Sequence, residues 1–373
     1  MMKFKINKSD ILDVLSKVQG ITGRKSNLAI TSNILIKTTG KGITLVVTDL
    51  ETGFEGLYPA SIENKGTLTI NSRKFYEIVR EFPNEEIQIS ESDNHWIKIG
   101  NNNVEYNIVG LNPDDFPETP IIEDIDFFTI DSDVFRKMIE KTVIITGAPD
   151  EKRTHITGIY FEIIHQEDES VVRMVSTDGN RLSKVDCVYE KDSKLPKDLS
   201  IIIPKKGMNE VIKFLDPSGT VQIGVKNNNF IIKKDYETVI IRLLEGNFPE
   251  YGDIIQRGSS HAIHLDKKQF LMMLKRMSIL SSEDYKGVIF NFKDNNISIT
   301  TTNPDLGESK EDMAIDYKGE PIEVAFNPRY IIEILSVIDT EKVVVNILDK
   351  EKPCLIEGEN DDTYLSVIMP MRI

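Results

Sequence analysis

Two helix patterns, each written three times along the chain, constrain this fold more than any other feature. Residues 203–216, IPKKGMNEVIKFLD, place Met208, Val211, Ile212 and Leu215 at i, i+3, i+4 and i+7, with Ile203 five residues ahead of the first. That spacing is one face of an amphipathic helix. Pro204 suits a helix entrance, and Lys206 stands two residues before the first apolar anchor. Residues 70–83 repeat the figure with Phe75, Ile78, Val79 and Phe82, led by Ile70 and Arg73; residues 326–339 repeat it with Ile331, Ile334, Leu335 and Ile338, led by Phe326 and Arg329.

The second pattern starts from a polar residue suited to a helix N-cap. Asn7 is followed by Ile11, Val14, Leu15 and Val18; Asp131 by Phe135, Met138, Ile139 and, as the exception, Thr142; Asp266 by Phe270, Met273, Leu274 and Met277. Strand-like runs closed by turn residues separate the two patterns: residues 43–47 before Thr48-Asp49, 171–175 before Thr177-Asp178-Gly179, and 297–301 before Asn303-Pro304. Each unit thus reads strand, helix, strands, helix, strands. The caps are 124 and 135 residues apart, far beyond the roughly 20–50 residues of a solenoid repeat. Three complete domains of one fold are expected, at 1–126, 127–257 and 258–373, without long flexible linkers.

Repetition leaves six outward helix faces, and charge distinguishes them. The net charge is −15, which argues against coating nucleic acid by bulk attraction. The six helical stretches nevertheless carry +4 together, leaving −19 to the remainder. Arg73, Lys206 and Arg329 recur near helix starts, where the helix dipole disfavours a cation by a few tenths of a kcal/mol. Phosphate binding would supply a reason for all three; a solvated helix end with the cation reaching an acidic neighbour is the alternative for any one of them.

Other classes are harder to fit. Cys187 and Cys354 form no close pair, so reduced thiols are expected, with neither a disulfide framework nor a zinc site. The start MMKFKINKSD alternates, and no run reaches the roughly 18 apolar residues of a membrane span; a soluble, cytoplasmic protein with no membrane partner is expected. No phosphate-binding loop or nucleophile elbow occurs, and His261 and His264 fall on opposite faces of a predicted strand. No catalytic residue, metal or cofactor is expected. A repeat-built adhesion or other non-DNA binding protein is the rival reading, opposed by the six amphipathic helices.

The tail YLSVIMPMRI (364–373), with TDGNRL (177–182), SRKF (72–75), DDFP (114–117), EGNFPEY (245–251) and MKFKI (2–6), resembles the bacterial DNA polymerase III beta subunit, the sliding clamp. The resemblance runs the length of the chain, in order. It implies an α+β fold of three repeated DNA-clamp domains, each two helices packed on antiparallel sheets, forming a crescent that dimerises head to tail into a ring around duplex DNA. Binding there would be independent of base sequence. The implied partners are double-stranded DNA, the replicative polymerase alpha subunit, the clamp loader, and other polymerases and repair proteins carrying clamp-binding peptides.

By the same resemblance, a peptide groove between the second and third domains takes in Ile156, Thr177, Gly179, Arg181, Leu182, Pro249, Ile254, Asn327, Tyr330, Val367, Ile368, Met369, Pro370, Met371 and Arg372. The DNA-facing positions are Arg24, Arg73, Lys205 and Lys206, and the subunit contact involves Lys74, Tyr106, Ile108, Ile279, Leu280, Tyr285 and Asp305. Asn180 stands where some members carry histidine, and Asn103 and Glu105 stand where some clamps carry arginines opposite the positions of Glu308 and Glu311. Apolar contact and main-chain pairing of edge strands would then bear more of the ring closure.

Overall fold

The computed structural model describes every residue except 24–27, 102, 121–122, 149–150, 191–194, 257–260, 282–286 and 372–373, and the side chain of His261. Arg24, Tyr285 and Arg372 therefore lie outside the described residues.

Seven helices are described: α1 (Lys8–Lys17), α2 (Gln19–Thr22), α3 (Ser72–Glu81), α4 (Ser132–Val143), α5 (Lys205–Val211), α6 (Lys267–Met277) and α7 (Pro328–Val337). The repeated anchors are buried as the spacing requires in α1, α3, α4, α6 and α7, including Thr142, whose hydroxyl donates to the Met138 carbonyl at 2.8 Å. Capping follows the sequence at Asp131 and Asp266, and Asn71 and Asn327 cap two further helices; each of the four side chains accepts a backbone N–H of the first turn. Asn7 departs from this, since its side chain caps no backbone group and its amide instead donates to Asp10 at 3.3 Å.

The 203–216 stretch is shorter and tighter than its periodicity predicts. Pro204 ends a strand, α5 stops at Val211, and Ile212–Phe214 form a 3-10 turn. Tightening from 3.6 to about 3 residues per turn brings the position three beyond Val211 onto the buried side, while Leu215 stays buried. Phe214 becomes buried while Ile212 remains half-buried, and the Phe214 ring stacks on Phe54 at 4.7 Å.

The described strands form four sheets, antiparallel throughout. The chain divides into two compact units that cut the central repeat. In the unit formed by residues 1–135 and 206–243, one sheet has five strands and ends on Glu105–Val109. Its eight-stranded sheet is continuous from the first repeat into the central one, because Glu237–Arg242 pairs with Thr52–Tyr58. In the unit formed by residues 136–205 and 244–373, Arg181–Glu190 pairs with Tyr364–Ile368 in the same way and makes a second eight-stranded sheet. That unit also holds a four-stranded sheet ending on Gly307–Ala314. Each seam joins two former edges, which satisfies backbone groups that a separate domain would leave open.

Candidate functional site

The turn from Thr177 to Arg181 builds the centre of the candidate groove. Thr177 Oγ1 accepts the Gly179 N–H at 3.0 Å, and Asp178 Oδ1 accepts those of Asn180 at 2.9 Å and Arg181 at 3.1 Å. Gly179 has φ +91°, a left-handed conformation that suits glycine. The turn fixes Arg181, whose Nε donates to Asp178 Oδ2 at 2.9 Å and whose Nη2 lies 2.6 Å from Glu333 Oε2. Its guanidinium carbon lies 4.1 Å from the Tyr330 ring centroid. Arg181 is only 8 % exposed, and its Nη1 is buried without a hydrogen-bond partner among the described residues. Burial first, and then the Arg181 charge, push the Lys205 ammonium below the usual lysine range, against an opposing pull from Glu333.

The tail completes this region. Arg181 pairs with Ile368 and Leu182 with Val367; the Met369 N–H then donates to the Asn180 carbonyl at 2.9 Å and the Met371 N–H to the Ala325 carbonyl at 2.8 Å. Met369, Pro370 and Met371 thereby bridge the eight-stranded and four-stranded sheets of one unit, beside a cavity of about 980 Å³ also lined by Glu323, Lys350 and Glu351. Met369 is 42 % exposed. Ile156, Leu182, Val367 and Ile368 are buried, Leu182 and Val367 within one apolar cluster. Asn327 is buried as the cap of α7, while Pro249 and Ile254 are exposed on a loop.

That loop is held by contacts that helix and strand periodicity does not reveal. Tyr160 stacks on Phe248 at 4.9 Å, with Tyr251 edge-on at 6.4 Å. The Tyr251 hydroxyl donates to Glu162, and Arg173 Nη1 donates to that hydroxyl at 3.4 Å while forking onto Asp186 at 2.7 and 2.9 Å. Burial first, then the Glu162 bond, pushes the Tyr251 phenol above its usual range. The motif EGNFPEY marks the loop; its partners Tyr160, Glu162 and Arg173 lie far away in sequence and carry no local signal.

The helix-start cations are mostly ion-paired. Lys206 Nζ lies 2.9 Å from Asp49 and 2.5 Å from Glu51, which is the acidic-neighbour arrangement. Arg73 and Lys74 share Glu77 at 3.0 and 2.8 Å, and the Arg73 side chain remains 80 % exposed. The Lys74 bond first, then the Arg73 bond, holds the Glu77 carboxyl below its usual range.

Of the expected subunit-contact residues, Lys74 lies on α3, and the other described ones fall at or beside two open edges. Tyr106 and Val109 are exposed on the Glu105–Val109 edge strand, with Ile108 half-buried. Ile279 is 73 % exposed; Leu280 is half-buried and Asp305 exposed beside the Gly307–Ala314 edge. Each edge pairs a carboxylate with a cation of the same unit: Glu105 with Lys98 at 2.5 Å, and Glu311 with a fork from Arg276. Among the described residues no cluster of three His, Cys, Asp or Glu could hold a metal, and no helix is long and apolar enough to cross a membrane.

Three family descriptions match the chain in order: DNA polymerase III beta subunit N-terminal domain over residues 2–120, central domain over 129–250 and C-terminal domain over 253–372. The beta sliding clamp of Vibrio cholerae is 28 % identical over 376 residues, covering 100 % of both chains, and that of Chlamydia pneumoniae is 27 % identical over 372 residues, covering 100 % of this chain and 99 % of the relative. The crystal structure of the Bacillus subtilis DNA polymerase sliding clamp superposes with a TM-score of 0.92 at 26 % identity, covering 100 % of this chain and 99 % of that one. Fold and matches define a DNA clamp of three like α+β domains. The chain belongs to the DNA polymerase III beta subunit family, and its role is that of a non-catalytic sliding clamp for the polymerase.

Proposed function

We propose that two copies of this chain close head to tail into a ring around duplex DNA and tether the replicative polymerase. Retention is then topological, since a closed ring cannot leave DNA sideways however weak each phosphate contact is, and contacts to phosphate alone carry no base preference. The observation that carries this reading is the pair of open edges, Glu105–Val109 and Gly307–Ala314. Exposed apolar residues flank them, and internal ion pairs on both favour main-chain and apolar closure over charge. The domain boundaries proposed are 1–126, 127–257 and 258–373.

The surface around Arg181, Tyr330 and Met369 is the proposed receptor for largely hydrophobic peptides of the polymerase alpha subunit, the clamp loader, and other polymerases and repair proteins. The exposed Met369 and half-buried Met371 suit it, since unbranched polarizable side chains adapt to several partners. A cytoplasmic location follows from these partners. The test is to load the protein with a clamp loader onto nicked circular DNA and then cut the circle. Loss of the protein on linearisation is expected; retention after the ends are freed overturns the ring.

A further inference from the structure

The internal repeat places a second groove in the other unit, at the seam of the first and central repeats, and its chemistry differs. Thr48 Oγ1 accepts the Leu50 N–H at 3.0 Å, and Asp49 Oδ1 accepts those of Glu51 at 3.1 Å and Thr52 at 2.7 Å. This is the turn of Thr177 and Asp178, hydrogen bond for hydrogen bond. The seam strands agree in register: Ile241 pairs with Thr52 as Ile368 pairs with Arg181, and the Arg242 N–H donates to Glu51 O at 2.8 Å as Met369 donates to Asn180 O at 2.9 Å. Arg242 therefore occupies the place of Met369, Ile240 that of Val367, and Leu50 that of Gly179.

A cavity of about 320 Å³ opens there, lined by Leu50, Pro117, Pro120, Asn228, Ile240 and Arg242 among others, within the range of built ligand sites. Leu50 is half exposed and has φ +76°, a conformation that a bulky side chain rarely adopts and that clusters at binding sites. Glu51 on the rim is matched by Lys206. The Arg242 guanidinium is exposed and has no ion-pair or hydrogen-bond partner among the described residues, and it makes no pair with nearby Glu118.

We propose that this seam is a second peptide-recognition site, selective for an extended segment that sets an apolar side chain on Leu50 and Ile240 and a carboxylate on Arg242. The peptide class rests on the reading of the Met369 surface as a peptide receptor; the cavity and its unmatched cation do not. The probe is the tetrapeptide acetyl-Ala-Ile-Asp-Ala-amide, with its Asp-to-Asn counterpart, titrated into the full chain carrying methyl labels on Ile, Leu and Met. Saturable shifts of the Leu50 and Ile240 methyls by the Asp peptide are expected, weakened about tenfold or more by Arg242→Ala or by the Asn peptide. Met369 and Met371 methyls report the other surface in the same spectra, so failure of either site is read separately, and unchanged core methyls verify folding. No response at Leu50 and Ile240 up to millimolar peptide overturns the proposal, as does equal binding of the two peptides or an undiminished response in Arg242→Ala.

Discussion

The Arg181 guanidinium lies 4.1 Å from the centre of the Tyr330 ring, so one buried cation serves an aromatic face, its own turn through Asp178 and α7 through Glu333. Arg181→Lys keeps the charge but loses the fork and the planar stack. It is expected to lower stability by about 1–3 kcal/mol in denaturant unfolding. Arg181→Ala is expected to cost more and to weaken peptide capture. A lysine variant as stable as the parent would show that the stack contributes nothing.

Replacing Arg24, Arg73, Lys205 and Lys206 by Ala is expected to weaken DNA binding and flatten its dependence on salt, by about 0.9 in log–log slope for each phosphate no longer neutralised. Lys206 is already matched by Asp49 and Glu51. Glu51→Gln, which leaves Asp49 as its one remaining carboxylate, should therefore loosen it and steepen the slope. A slope unchanged in the fourfold variant would mark these residues as solvated surface.

Ile279→Glu places a charge on a side chain that is 73 % exposed beside the Gly307–Ala314 edge. Sedimentation should show a dimer shifted towards monomer. The parent dimer is expected to survive about 1 M salt, where surface charge is screened within about 3 Å; ready dissociation there would favour charge-driven closure.

The Arg276 bond to Glu311 holds the Glu311 carboxyl below its usual range, against the opposing effect of burial. A carboxylate depressed in the folded state stabilises it above the unfolded pKa, and that contribution is lost as pH falls through the lower folded value. Relative to Glu311→Gln, the parent should be more stable at neutral pH by about 0.5 kcal/mol. The gap should close below roughly pH 4. A gap independent of pH would remove the ion pair as its cause.

Gly207→Ala should destabilise, although alanine is the better helix former by about 1 kcal/mol. A Cβ at Gly207 would meet Ile241 Cγ2 at 2.5 Å, and overpacking of this kind costs about 1–3 kcal/mol. Thermal unfolding decides the sign.

Much of this was legible in the residue order. Helix anchors, the helix caps at Asp131 and Asp266, and the turns at Asp49 and Asp178 are local: their partners lie within a few residues, so spacing alone specifies them. At Phe214, stacked on the distant Phe54, the helix is tightened to a 3-10 turn and departs from the periodicity.

What only the tertiary structure decided is which edges meet and which charges are matched. Pairing of Glu237–Arg242 with Thr52–Tyr58, and of Tyr364–Ile368 with Arg181–Glu190, makes two continuous sheets out of sequence repeats that read as separate domains. Lys206 reaches Asp49 and Glu51 across more than 150 residues of chain, and Arg181 reaches Glu333 across a similar distance. Strand pairing and ion pairing at such separations depend on where the backbone returns in space. A local pattern can announce that a residue is a cation or an edge; it cannot name the partner that neutralises or covers it.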